Sequence, residues 1–195
     1  MESTYHHGNL RQALIDAALH ITREHGIKAV TIRRVARSVG VSHAAPYHHF
    51  ADRSNLIAAV AEQGFQQLAQ KVSEAEGAGA DQLREAGVAY VVFAVRDPEL
   101  FRLMFGREAS DSDGDPGLAS AAAAARSALV NAFPAVDASS GEVPVNETLV
   151  NTCWALVHGL AMLIINGQLP QTMTPEAAAE LSRESLDLVW SGLRQ

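Results

Sequence analysis

The 195-residue chain has a single cysteine, Cys153, so it holds no internal disulfide framework and suits a reducing compartment. Aromatic residues make up only 6% of it, and alternating β-branched runs are almost absent, which argues against a sheet protein. The longest apolar stretch, residues 154–165, contains His158 and Gly159 and falls short of the roughly 20 apolar residues of a membrane span. No charged-then-apolar leader opens the chain, which argues against secretion. No Gly-rich phosphate loop follows a strand, and no cysteine pair or His-x3-His spacing suits a metal. The expectation is a cytoplasmic protein that is not an enzyme, with no cofactor, no metal and no membrane partner.

What is present is helical in character. Hydrophobic residues make up 48% of the chain, with Ala and Leu abundant, so an all-α fold is expected. Charge is divided unevenly. Residues 1–60 carry seven Lys/Arg against four acids, a net of +3, and seven of the eight histidines. Residues 61–195 carry eight bases against eighteen acids, a net of −10. A small head suited to a polyanion thus sits on an acidic body, although acidic surface also keeps a body in solution.

Periodicity divides the head into short elements. Leu10, Leu14, Ala17, Ala18 and Ile21 recur at helical spacing up to Gly26, predicting a helix over 9–25. Thr31 is an N-cap residue for a helix over 32–39 that Gly40 ends, and Ser42 is read as the cap of another over 43–49. Asp52 caps a long helix with Ile57, Val60, Ala61, Gly64, Leu68 and Val72 along one stripe, up to a Gly/Ala break at 77–80. Further helices are predicted near 81–96, 98–106, 117–133, 145–168 and 175–193, with a joint at Asp97-Pro98. Residues 110–116 and 134–144 read as loops. The resulting organisation is a head domain over 1–55 and a helical body domain over 56–195.

Two short capped helices joined by a glycine turn, behind a longer helix, form a helix-turn-helix. Ala36 lies where the helices cross, Gly40 supplies the left-handed residue, Val41 turns into the junction, and Ile32 and Phe50 complete a small core. In such a motif the second helix enters the major groove, placing His43, Ala44, Tyr47 and His48 toward base edges. His43 donates or accepts according to tautomer, whereas Ala44 meets only a thymine methyl. Arg33 and Arg34, on the first turn of the preceding helix, lie near the DNA backbone. Tyr47 has an alternative reading as a core aromatic, being three residues from Phe50, and His49 reads as structural or exposed. Pro46 conflicts with a regular reading helix, because proline deletes a backbone bond there.

The stretch TIRRVARSVGVSHAAPYHHFADRSNL resembles the DNA-binding head of tetracycline-repressor-type (TetR-like) transcriptional regulators, a similarity running from about Tyr5 to Val60. YHHGNLRQALIDAAL is similar to the start of one subgroup, so His6 and His7 belong to the protein. The Trp-x3-His-Gly pattern at 154–159 resembles the C-terminal domain that accompanies that subgroup. The resemblance implies phosphate contacts for Thr31, Tyr47 and Arg53, and a small molecule that lowers affinity for a DNA operator.

The body is read around this expectation. Helices near 145–168 and 175–193 are the expected homodimer pair, with small residues Ala155, Gly159 and Ala161 allowing close approach either across that interface or within the monomer. Phe93, Met104, Trp154, His158 and Met162 are the candidate effector-pocket residues, against the reading that an apolar set at helical spacing is plain core. The competing reading of the whole chain is a helical ligand-binding or enzymatic domain whose head is vestigial. It requires catalytic residues in the body, and no convincing pair is found there.

Overall fold

The computed structural model describes residues 10–110, 115–133, 146–169 and 173–192. Among them there is no strand. The elements are α1 (Leu10–His25), α2 (Ile32–Val39), α3 (Arg53–Ser73), α4 (Ala80–Arg96), α5 (Pro98–Met104), α6 (Arg107–Ser110), α7 (Pro116–Asn131), α8 (Glu147–Ile165) and α9 (Pro175–Gly192). Single 3₁₀ turns occupy Ile27–Ala29 and Ala45–His48. His6 and His7 and the predicted loop at 134–144 lie outside the described residues, as does most of the one at 110–116.

The described chain forms two compact units. The first gathers the residues up to Gly64 with Glu99–Ser120, and the second holds Phe65–Pro98 with Ala121 onward. The predicted domain boundary after residue 55 falls inside α3, whereas the units divide at Gly64. Gly64 also sets a packing distance inside the first unit: a Cβ there would lie 2.7 Å from the Met104 sulfur and 3.0 Å from Leu100. Met104 is 4% exposed, so it is core of the first unit. The other candidate effector-pocket residues lie in the second unit.

In the second unit α4 packs mainly on α9 and α8. Gly87 makes that approach possible, since a Cβ would lie 2.5 Å from Leu186 Cδ1 and 3.1 Å from Val157 Cγ1. An ionic seam flanks the contact. Arg183 donates to both carboxylate oxygens of Glu85 at 3.0 and 3.1 Å, and Arg84 reaches Asp187 at 3.3 Å. The Arg183 guanidinium holds the Glu85 carboxyl below its ordinary range. Asn146 caps α8 by accepting from Leu149 N–H at 2.9 Å. α8 is long and apolar enough to cross a membrane, with a mean hydropathy of 1.7 over its most apolar 18-residue window, of which 28% is buried. The interrupted run seen in the sequence therefore belongs to a longer apolar helix than its side chains alone suggested.

Candidate nucleic-acid interface

The head is built on local chemistry that the sequence announces. Thr31, in extended backbone, accepts from Arg34 N–H at 3.1 Å and starts α2. Gly40 ends α2 at φ 77°, with its N–H on the carbonyls of Ala36 and Arg37. Val41 N–H returns to the Ala36 carbonyl at 3.0 Å, so the turn is closed by backbone bonds. Leu14, Val30, Val35 and Ala36 are fully buried beneath it, joined by Phe50 at 3% and Ile32 at 8% exposure. Asp52 accepts from Asn55 N–H at 2.9 Å and opens α3.

The reading segment departs from the regular helix predicted over 43–49. His43 and Ala44 form a turn, and only Ala45–His48 is helical, as a 3₁₀ turn. Ala44 is its N-cap with no side-chain cap bond, and Ser42 contributes its main-chain carbonyl to Ala45 N–H at 3.2 Å. The physical cause is Pro46, which has no N–H for an α-helical bond and fixes its own φ. Bonds from Tyr47 to Ala44 and from His49 to Pro46 then wind the chain more tightly. Pro46 itself is buried.

This winding sorts the side chains cleanly. Ser42, His43, Ala44, Tyr47, His48 and His49 are exposed, while Pro46 and Phe50 face inward. Tyr47 is 58% exposed, which overturns its alternative reading as a core aromatic. Arg33 and Arg34 are exposed beside the Thr31 cap. The row thus offers imidazoles, a phenol, hydroxyls and guanidinium groups on one exposed ledge, a donor-rich set suited to phosphates and base edges.

Arg53 is placed differently. Its Nε donates to the Val30 carbonyl at 2.7 Å and its Nη2 to the Ile27 carbonyl at 2.9 Å. Two of the five donors of this guanidinium therefore tie the start of α3 to the segment entering α2. Nothing in the sequence marks this, because the acceptors are main-chain atoms more than twenty positions earlier. Arg11 was also missed; its guanidinium lies 5.5 Å from the Phe50 ring centroid, a cation over the face of an aromatic.

In the second unit Trp154 and His158 come together. Tyr90 is the hub: Trp154 Nε1–H donates to the Tyr90 oxygen at 3.3 Å, and that hydroxyl lies 2.9 Å from His158 Nδ1. Burial pushes the Tyr90 phenol up and the His158 imidazole down, keeping both neutral at pH 7. Phe93 and Met162 are half-buried on the same two helices. Burial likewise raises the Cys153 thiol, making it a small apolar residue and a poor nucleophile. Among the described residues no group of three His, Cys, Asp or Glu side chains could hold a metal ion.

A helix-turn-helix with an exposed donor-rich ledge, followed by a helical body, defines the class of one-component DNA-binding regulators. Comparison with known proteins narrows this. Residues 14–60 match the model for bacterial regulatory proteins of the tetR family, and residues 83–189 match the tetracyclin repressor-like C-terminal domain. The chain belongs to the TetR family of transcriptional regulators. The HTH-type transcriptional repressor AcnR of Corynebacterium glutamicum is 38% identical over 66 residues, which are 34% of this chain and 35% of that protein. The HTH-type transcriptional regulator BetI of Rhizobium meliloti is 43% identical over 49 residues, 25% of this chain and 24% of that protein. The match thus spans only about a third of these curated relatives or less. A solved structure of a protein of unknown function from Rhodococcus sp. RHA1 covers 100% of both chains at 30% identity, with a TM-score of 0.79.

Proposed function

We propose that this TetR-family regulator acts as a homodimeric repressor on a palindromic DNA operator, in the cytoplasm, and that a small molecule bound in its body weakens DNA binding. The observation that carries the DNA reading is the exposed ledge: Tyr47 is 58% exposed on a 3₁₀ turn whose buried face is anchored by Pro46 and Phe50. His43, Ala44 and His48 read base edges, Ser42 and Tyr47 take flanking phosphates, and the Thr31 hydroxyl, already accepting from Arg34 N–H, keeps its proton for another phosphate. Arg33 and Arg34 add positive charge on the same side. Arg53 holds the motif together and offers its remaining donors to the DNA backbone. The domain roles follow: residues 1–55 bind DNA, and 56–195 dimerise and hold the effector.

Two-fold assembly is supported by unburied apolar surface on the last two helices. Leu163 on α8 is 41% exposed and Leu188 on α9 is 73% exposed, on elements whose other faces are packed. A second copy would cover them and set two heads about 34–36 Å apart, one turn of DNA. The relatives named as transcriptional repressor and regulator favour DNA binding over catalysis. Selection of bound fragments from sheared genomic DNA tests the reading. One enriched palindrome, protected as two half-sites, is expected; binding without sequence preference would refute it.

A further inference from the structure

Beside the Tyr90–Trp154–His158 cluster lies an apolar cavity that the DNA reading does not use. Leu83, Gly87, Leu129, Val150, Cys153 and Leu186 contribute to its lining, with Trp154 as a further wall. The space is about 10 Å³, room for about one water molecule. Trp154, 37% exposed, is the part of the lining that also reaches solvent.

Over that indole stands Arg126, its guanidinium carbon 5.9 Å from the ring centroid. Arg126 lies one helical turn before Leu129, so cavity wall and guanidinium share a face of α7. Its pairing is incomplete. Glu147, 83% exposed, reaches Nη2 only at 3.7 Å, and the buried Nη1 has no hydrogen-bond partner. Arg84 also keeps a buried Nε without a hydrogen-bond partner, but it is surrounded by carboxylates, as is Arg183. Arg84 meets Asp81, Glu85 and Asp187, and Arg183 meets Glu85 and Glu180. A buried, unsatisfied guanidinium N–H is costly to leave unpaired, and its best partner is a carboxylate taken bidentately.

The geometry points to a binding site for a monocarboxylate with an apolar body, its carboxylate on Arg126 and its apolar part entering past Trp154 between Leu129 and Leu186. This names the chemical class of the effector and rests on the effector reading above. Entry of the ligand requires the lining leucine side chains to move apart, and the Trp154 indole, held by its bond to Tyr90, supplies the flat wall against which the ligand lies. A dicarboxylate or a sugar would not fit, because the lining offers no second cation and almost no polar group.

The test titrates the full chain with sodium benzoate and sodium octanoate, and with benzamide and octanamide as uncharged counterparts, by calorimetry and thermal shift. At least one acid is expected to bind saturably, at least tenfold tighter than its amide. Arg126→Gln should bring acid and amide to equal affinity, and Arg126→Lys should keep part of the preference. Glu147→Gln removes the competing carboxylate from an exposed position and should tighten acid binding by about two- to fivefold. No saturable binding by any probe, equal binding of acid and amide, a preference that survives Arg126→Gln, or acid binding not tightened by Glu147→Gln would each overturn the site. DNA release is read separately on an enriched genomic fragment. Release by the acid supports the effector role; no acid binding alongside intact DNA binding overturns this site and leaves the regulator reading standing.

Discussion

Two glycines separate the two halves of this protein. Gly40 in the head has φ 77° and nothing within 4 Å of where a Cβ would stand, so glycine is needed there for its torsion. Gly87 in the body has ordinary helical backbone, but a Cβ would strike Leu186 at 2.5 Å, so glycine is needed for space. The head is specified by local backbone chemistry, one capping residue at a time, and leaves its working side chains exposed. The body is specified by packing between residues distant in sequence, and keeps its candidate ligand residues wholly or partly buried. A capped turn can present donors to DNA without itself changing. A close-packed helix seam yields only by shifting helices, which would suit the effector role proposed for the body.

Arg53 offers the sharpest way to break this contrast, since it is a head residue with distant acceptors. Arg53→Met removes two charged-donor bonds to the Val30 and Ile27 carbonyls and should destabilise the protein by about 2–4 kcal/mol. DNA affinity should fall alike for all sequences. Denaturant unfolding checks the first effect, and a Tm equal to that of the wild type would reduce Arg53 to a surface charge. Gly87→Ala should cost about 1–3 kcal/mol through the clash with Leu186 and Val157, partly offset by alanine's better helix propensity. Thr31→Ala should cost about 1 kcal/mol for the lost cap and should also weaken DNA binding.

Smaller stability effects carry more functional information. Tyr47→Phe and His43→Ala alter exposed side chains, so stability should move by less than about 0.5 kcal/mol. Tyr47→Phe should weaken binding to every fragment, whereas His43→Ala should change which base is preferred at one operator position. An unchanged preference removes His43 from the reading set. The subtlest effect is one of pH. Burial lowers the His158 pKa from about 6.5, so the unfolded chain binds the proton more readily than the folded one. Stability contributed by neutral His158 is therefore full above about 6.5 and is lost as pH falls through the lowered folded value. His158→Phe should flatten the decline in melting temperature between pH 7 and 5.5, and an unaltered decline would assign it to other groups.

The same contrast explains what the sequence revealed. Thr31, Gly40 and Asp52 were legible because each acts on backbone within a few positions of itself, and α2 was predicted to the residue. Pro46 was legible as a disturbance, but its result, a 3₁₀ turn in place of a reading helix, depends on which carbonyls remain in reach. Helical periodicity located α4, α7, α8 and α9 to within a few residues. It carried no information about partners: Met104 shares the apolar character of Phe93 and Met162 yet packs on Gly64 in the other unit. Tyr90 and Arg126 acquire meaning only when folding brings both to Trp154. Apolar pattern names a face, and only the packed structure names what that face meets.

Whether the exposed ledge binds DNA phosphates is tested most directly by salt dependence on a genomically selected fragment. The logarithm of affinity should fall linearly with the logarithm of salt, by about 0.9 per neutralised phosphate, and loss of the exposed Arg33 and Arg34 together should make the slope shallower. Affinity insensitive to salt, or a slope unchanged when both arginines are replaced, would refute phosphate binding by the ledge.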